Sequence, residues 1–272
     1  MAQRFHKMHG LGNDFVVIDA REDVIAIDPA RARAIADRHT GIGCDQLILI
    51  TPSDRATVGM RIFNADGSEV ESCGNATRCV AMLIGGEPSI ETKGGILASR
   101  ATSGGASVDM GAPRFDWDAI PLAYPMDTAA LPLGWDGLDP VRAPIAVNVG
   151  NPHVVFFVAD SDTVDLATIG PPIETDPVFP ERINVNVATV EARDRIRLRV
   201  WERGAGATLA CGTGACATAV AAIRVGLADS GVTVVLPGGA IVIDWTPGGA
   251  IRMTGPATHV FTGELDLASL AA

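Results

Sequence analysis

The sequence predicts an α+β protein made of two similar lobes, each a sheet packed on or wrapped around a helix. Three observations predict it. The dipeptide Cys-Gly occurs at Cys73-Gly74 and again at Cys211-Gly212, 138 residues on. The same offset carries Gly12-Asn13 onto Gly150-Asn151, Val16-Val17 onto Val154-Val155, Arg61 onto Arg199 and Phe63 onto Trp201. After each Cys-Gly an apolar helical stretch opens. An offset held without a gap from Gly12 to Gly74 marks an internal duplication.

The elements follow in order. In the first lobe an extended run is expected over 15–19. A helix then starts with Asp28 as N-cap and Pro29 at its first position, and stops near Gly41. Strands are expected over 47–50 and 60–63, a helix over 75–84, and further strands over 90–92 and 107–110. The stretch 115–143 is rich in Pro, Trp and Asp and includes the crossover between lobes. The second lobe repeats the plan with strands over 154–158, 184–187 and 195–201, and a helix over 213–225. Strands over 232–236, 241–245 and 251–254 complete it.

Composition narrows the function. The chain has 272 residues, 47% of them hydrophobic and 19% charged, enough apolar matter for real cores. A formal net charge of -11 argues against a nucleic-acid or anionic-membrane partner. The N-terminus has no apolar signal region, and the uncharged run 204–223 is mostly Gly, Ala, Thr and Cys, which suits a loop leading into a buried helix. A cytoplasmic protein is expected. Its five cysteines, an odd number, do not suggest a disulfide framework, and no spacing completes a zinc site. Only Lys7 and Lys93 could form the Schiff base that pyridoxal phosphate uses, and no phosphate-binding glycine motif is present. No cofactor and no metal are expected.

Both cysteines sit where a helix begins, beside free backbone N–H groups and a positive dipole end. That setting is expected to lower a thiol pKa and to hold a carboxylate. Gly74 and Gly212 let the backbone come close. Two such helix ends facing one cleft would flank an α-carbon with two sulfurs. Inverting a stereocentre needs a base on one side and an acid on the other, which a thiolate and a thiol supply. A single cysteine at a helix start is more often a small buried hydrophobe. The repeated pair tips the choice toward chemistry, and Cys44, Cys79 and Cys216 are left as core residues.

Asn13, Gln46, Asn64, Asn151 and Asn184 form a second constellation, all in the repeat. Amides donate to carboxylates and accept from ammonium groups, as a zwitterionic ligand needs, although any one of them could cap a turn. The repeat breaks where Phe15 meets His153 and Asn64 meets Glu202. His153 and Glu202 could tune or orient a cysteine, and Arg203 adds a fixed positive charge for a second carboxylate.

At these residues the sequence resembles the diaminopimelate epimerases. The blocks MHGLGNDFVVIDA (8–20), GIGCDQLILI (41–50), FNADGSEVESCGNATRC (63–79), GNPHVV (150–155), FPERINVN (179–186) and WERGAGATLACGTGACA (201–217) carry the resemblance in order. It implies conversion of LL-diaminopimelate to the meso form without pyridoxal phosphate or metal. It implies Cys73 and Cys211 as the acid/base pair, assisted by His153 and Glu202. It implies Gly74, Asn75, Gly212 and Thr213 at the reacting carboxylate, and Asn13, Gln46, Asn64, Asn151, Asn184, Glu202 and Arg203 at the rest of the substrate. The implied fold is two pseudo-symmetric lobes, each a β-barrel-like sheet around a central helix. The lobes are expected at 1–115, with 260–272 rejoining it, and at 116–259. A homodimer is implied, although Phe261 stands where an interface tyrosine is expected, and CGNATRC departs from the commoner CGNGARC at Ala76 and Thr77.

A proline or hydroxyproline racemase also pairs cysteines, but the amides and Arg203 suit a substrate charged at both ends. A phenazine-biosynthesis-type isomerase shares the fold and lacks the cysteine pair. A thiol redox protein gives no reason for the matched amides.

Overall fold

A computed structural model describes residues 2–23, 25–71 and 73–267. Residue contacts divide the chain into two compact units. The first runs to Asp109 and resumes at Gly255, and the second is Met110–Thr254. The expected tail 260–272 lies partly outside the described residues, which end at Leu267.

The first unit contains β1 (Ala2–Gly10), β2 (Asn13–Asp19), α1 (Pro29–Ala36), β3 (Gln46–Thr51), β4 (Val58–Asn64), β5 (Glu69–Val70), α2 (Gly74–Ile84), β6 (Ser89–Thr92), β7 (Gly95–Thr102) and β8 (Gly105–Asp109). The second contains β9 (Ile145–Asn148), β10 (Pro152–Phe157), α3 (Leu166–Glu174), β11 (Asn184–Ala192), β12 (Arg195–Glu202), β13 (Gly206–Thr208), α4 (Gly212–Arg224), β14 (Val232–Leu236) and β15 (Gly239–Asp244). β16 (Arg252–Pro256) runs across the boundary at Thr254, and β17 (Thr258–Asp266), again in the first unit, pairs antiparallel with β1.

The duplication extends to strand register. β2 and β3 are parallel with Phe15 opposite Gln46, and β10 and β11 are parallel with His153 opposite Asn184. β3 and β4 are antiparallel with Leu47 opposite Phe63, and β11 and β12 put Val185 opposite Trp201. Val70 of β5 meets Ile62, and Thr208 of β13 meets Val200. Each of these pairs maps onto its counterpart by the offset of 138 found in the sequence.

Alternation along the strands explains the layers. Phe15 and Val17, Ile48 and Ile50, and Met60 and Ile62 point to one side, where they pack on Ala76, Cys79, Val80 and Ala81 of α2. Val16 and Ile18, Leu47 and Leu49, and Phe63 point to the other side, against Ala32, Ile35 and Ala36 of α1. Met8 of β1 and Ala106 of β8, the first and last of these strands in chain order, both reach the α2 core, so the sheet curls around that helix. In the second unit α4 packs on β9, β10, β11, β12, β14 and β15, while α3 covers the outer face through Leu166, Ile169 and Ile173. The architecture is therefore α+β, with a sheet wrapped around one helix in each repeat.

Asp28 caps α1 as expected, accepting from the Arg31 N–H at 2.7 Å. The helix stops at Ala36 rather than near Gly41, because Ile42 and Gly43 return their N–H groups to the Ile35 carbonyl. The chain folds back so tightly there that a side chain on Gly41 would meet the Ala34 carbonyl. Between 115 and 144 the chain forms turns and one isolated bridge, at Pro140, but no strand or helix, as the composition predicts.

Candidate active site

In each repeat the central strands and the helix bring the candidate site residues to one end of the sheet. Asn13 begins β2, Gln46 begins β3, Asn64 ends β4, and Gly74 begins α2. Asn151 precedes β10, Asn184 begins β11, Glu202 ends β12, and Gly212 begins α4. Gly12 and Gly150 both have positive φ, 88° and 111°, which explains the repeated Gly-Asn: a residue with a side chain would strain the turn that aims each asparagine.

Cys73 and Cys211 are the N-cap residues of α2 and α4, both in extended backbone. Their surroundings differ. Cys73 is half-buried, and its Sγ donates to Asn13 Oδ1 at 3.9 Å. Asn13 Oδ1 also accepts from Asn75 Nδ2 at 3.2 Å, and Asn13 Nδ2 donates to Asp45 Oδ2 at 3.1 Å. Beneath them Arg78, fully buried, donates to Asn75 Oδ1 at 2.8 Å and to the Pro256 carbonyl. Gln46 Nε2 donates to Asn64 Oδ1 at 2.9 Å, and Asn64 Nδ2 donates to Ser68 Oγ at 3.0 Å.

Cys211 is buried, and its Sγ accepts the Gly214 N–H at 3.4 Å and lies 3.5 Å from Thr213 Oγ1. Burial pushes its thiol well above the usual range, and the neighbouring Glu202 carboxylate adds to this. The Thr213 hydroxyl and Gly214 N–H pull the other way and are outweighed. For Cys211 this corrects the expectation of a lowered thiol pKa: desolvation and a nearby negative charge exceed the helix end. Burial likewise pushes Cys44 and Cys79 up to about 11 and about 12, which keeps them inert thiols of the core.

His153 is fully buried. Its Nε2 lies 2.9 Å from Asn151 Oδ1, and its Nδ1 lies 3.1 Å from Asn186 Nδ2. Burial lowers its pKa to about 3, so the ring is neutral at physiological pH. The described hydrogen bonds of the imidazole go to these two amides, not to a cysteine. Asn184 is occupied by backbone: its Nδ2 donates to the Pro152 carbonyl at 2.8 Å, and its Oδ1 accepts the Arg203 N–H at 3.0 Å. Arg203 Nη1 donates to the Glu181 carbonyl at 2.9 Å. Glu202 Oε1 accepts from Thr208 Oγ1 at 2.6 Å. The turn after β12 is clamped from α3, where buried Glu174 accepts from Trp201 Nε1 at 2.7 Å and from the Gly204 N–H at 2.9 Å.

A cavity of about 320 Å³ opens in the second unit, lined by Arg114, Asp118, Asn148, Asn151, Glu181 and Arg203 among others. Sequence reasoning named Asn151 and Arg203. It missed Arg78, Asp45 and Asn186, which lie one hydrogen bond behind named residues. All three stand in the blocks that carry the resemblance, but nothing in their spacing shows what they touch.

A sequence model of the family described as "Diaminopimelate epimerase" matches residues 5–115 and 145–260, one segment per repeat. A diaminopimelate epimerase from Rhizorhabdus wittichii is 67% identical over 100% of this chain and 98% of its own length. One from Sphingopyxis alaskensis is 64% identical, covering 98% of this chain and 99% of the relative. Among solved structures, a phenazine biosynthesis protein of the PhzF family from Enterococcus faecalis superposes with a TM-score of 0.71 at 13% identity, over 98% of this chain and 100% of that one. A hydroxyproline epimerase from Agrobacterium vitis superposes with a TM-score of 0.63 at 13% identity, over 97% and 92%. At such identities the structural likeness speaks for the fold alone. Among the described residues no helix is long and apolar enough to cross a membrane.

Proposed function

This chain belongs to the diaminopimelate epimerase family, and from that premise we propose that it interconverts LL- and meso-2,6-diaminopimelate by two-base proton transfer between Cys73, Cys211 and the α-carbon. The observation that carries this reading is the repeat itself. Two cysteines, each at the N-cap of the helix its sheet encloses, occupy matching positions in strand-for-strand copies. One thiolate removes the α-proton from one side, and one thiol delivers a proton to the other. Burial and Glu202 keep the proton of Cys211 on sulfur, which suits it to the thiol role in the first half of the exchange. Cys73 then acts as the thiolate base. After one turnover the ionisation of the two sulfurs is exchanged, which is the state that the reverse reaction requires.

The backbone N–H groups of the first helical residues, Gly74 and Asn75 in one repeat and Gly212 and Thr213 in the other, are the proposed cradle of the reacting carboxylate, where negative charge builds up as the proton leaves. Asn13, Gln46 and Asn64 serve the substrate's polar groups in the first lobe, which corresponds to 1–115 with 260–272. Asn151, Glu202 and Arg203 serve the remote carboxylate and ammonium in the second lobe, 116–259, with Asn184 holding Arg203 in place. The chemistry calls for no cofactor and no metal. The same reading makes the protein a cytoplasmic homodimer, and its solution mass by light scattering tests the dimer.

The decisive experiment is NMR of LL-diaminopimelate with the protein in D2O under reductant, with no added cofactor. Deuterium entering one α-position together with meso product is expected, and Cys73→Ala or Cys211→Ala should abolish epimerisation. Exchange with proline instead of diaminopimelate would overturn the substrate assignment, and exchange with neither would overturn the activity.

A further inference from the structure

The hydrogen bonds behind Asn151 have a direction that does not depend on how any amide is assigned. The Val154 carbonyl can only accept, and the Asn186 atom 3.1 Å from it must therefore be the nitrogen. That nitrogen has a second hydrogen and lies 3.1 Å from His153 Nδ1, which accepts it. The ring is neutral, so its proton is on Nε2, and Nε2 donates to the Asn151 oxygen at 2.9 Å. Asn151 is left with its nitrogen for the cavity that it lines together with Arg203. Two N–H-bearing groups in one cavity match a carboxylate.

We propose that Asn186 and His153 are positioning residues: Asn186 sets the tautomer of His153, and His153 in turn fixes Asn151 as a hydrogen-bond donor to the substrate's remote carboxylate. This rests on the reading of the site as a diaminopimelate site. A second feature shows that Asn186 is held there against a penalty. It is fully buried, and its Oδ1 is a buried acceptor with no protein hydrogen-bond partner. It also packs so close to α4 that a side chain on Gly214 would come within 2.8 Å of that oxygen. The first repeat places Phe15 and Ile48 at the matching positions and fills the same space with apolar atoms. A polar pair in a core position that the other repeat fills with hydrocarbon has a task beyond packing.

The test has two arms. In the wild-type protein, 15N chemical shifts of the His153 ring should place the proton on Nε2 and show no titration between about pH 5 and 9. A proton on Nδ1, or a ring titrating near neutrality, would overturn the proposal, and this arm needs no variant to fold. In the second arm, Asn186→Leu, which approximates the first repeat's Ile48, frees the tautomer. KM for diaminopimelate should rise roughly tenfold while kcat stays within about threefold, the pattern of lost ground-state binding. An unchanged KM, or a loss confined to kcat, would overturn it. If the wild type leaves diaminopimelate untouched, the functional reading fails, and the ring shifts still decide whether the relay exists.

Discussion

Asn13 and Asn151 stand at the same place in the two repeats, each after a glycine of positive φ and each at the head of the strand beside the helix. They present opposite faces. Behind Asn13 lies Arg78, which can only donate, so Asn75 must offer it oxygen and turn its own nitrogen to Asn13. Asp45, which as a carboxylate can only accept, takes the Asn13 nitrogen. Asn13 therefore shows its oxygen to Cys73. Behind Asn151 lies the neutral His153, which takes the oxygen and leaves the nitrogen outward. The duplicated backbone supplied two equal positions, and buried residues one hydrogen bond further in made them different. An oxygen suits an ammonium group, and a nitrogen suits a carboxylate, so one repeated residue type can read both halves of a zwitterion.

The largest expected way to break this comparison is acid. In the unfolded chain His153 takes up a proton near pH 6.5, but in the folded protein it does so only near about 3. Its folded pKa is depressed, so the stability this residue supports is complete above pH 6.5 and is lost as pH falls toward 3. The loss from this group reaches roughly 5 kcal/mol at the acid end. In His153→Phe, which carries the first repeat's residue, the urea midpoint should depend less on pH between about 6.5 and 4 than in the wild type. An equal pH dependence in both proteins would show that the buried imidazole is not what senses acid.

Arg78→Met comes next. It removes the donor that orients Asn75 and leaves the Asn75 oxygen and the Pro256 carbonyl without it. A loss of about 2–4 kcal/mol of stability in denaturant titration is expected, at about 1–3 kcal/mol for each orphaned acceptor with partial relaxation. Arg78→Lys, which also only donates, should recover part of it. Equal losses for Met and Lys would show that packing, not donor polarity, is what Arg78 supplies.

The sequence made the duplication legible because register is set by residue order: an offset of 138 between two Cys-Gly pairs became an offset of 138 between strand pairings. Strands without an apolar stripe escaped it. β7 is exposed or half-exposed along its length, and β1 changes parity at a bulge between Lys7 and Met8, so neither shows clean alternation. The candidate reactive residues are legible as types at repeated positions. Their electrostatics are not, because a helix start says only that N–H groups are near a sulfur. That Cys211 is buried beside Glu202, while Cys73 is half open beside an amide, is a property of the packed molecule.

Gly214→Ala makes a smaller intrusion. Ala76 holds the same place in the first repeat without strain, whereas a methyl at 214 would stand 2.8 Å from Asn186 Oδ1 and 3.0 Å from Val200. A cost of about 1–3 kcal/mol is expected, measured by thermal unfolding. The reverse change, Ala76→Gly, should cost only about 1 kcal/mol, as an ordinary helix interior does. If the two costs were equal, the floor beneath α4 would be no tighter than the one beneath α2.

The smallest effect concerns charge at a single sulfur. Glu202 raises the Cys211 thiol pKa after burial has done so, and Glu202→Gln keeps the shape while removing the charge. The rate at which iodoacetamide alkylates Cys211, followed by peptide mass spectrometry against pH, should then rise at lower pH than in the wild type. A displacement toward lower pH is expected. The profile of Cys73, whose described hydrogen bond goes to Asn13, should stay in place. A matching displacement of both profiles would mean that Glu202 does not act on Cys211 alone, and the separate control of the two thiols would fail. No displacement of either would leave burial as the whole cause of the Cys211 shift.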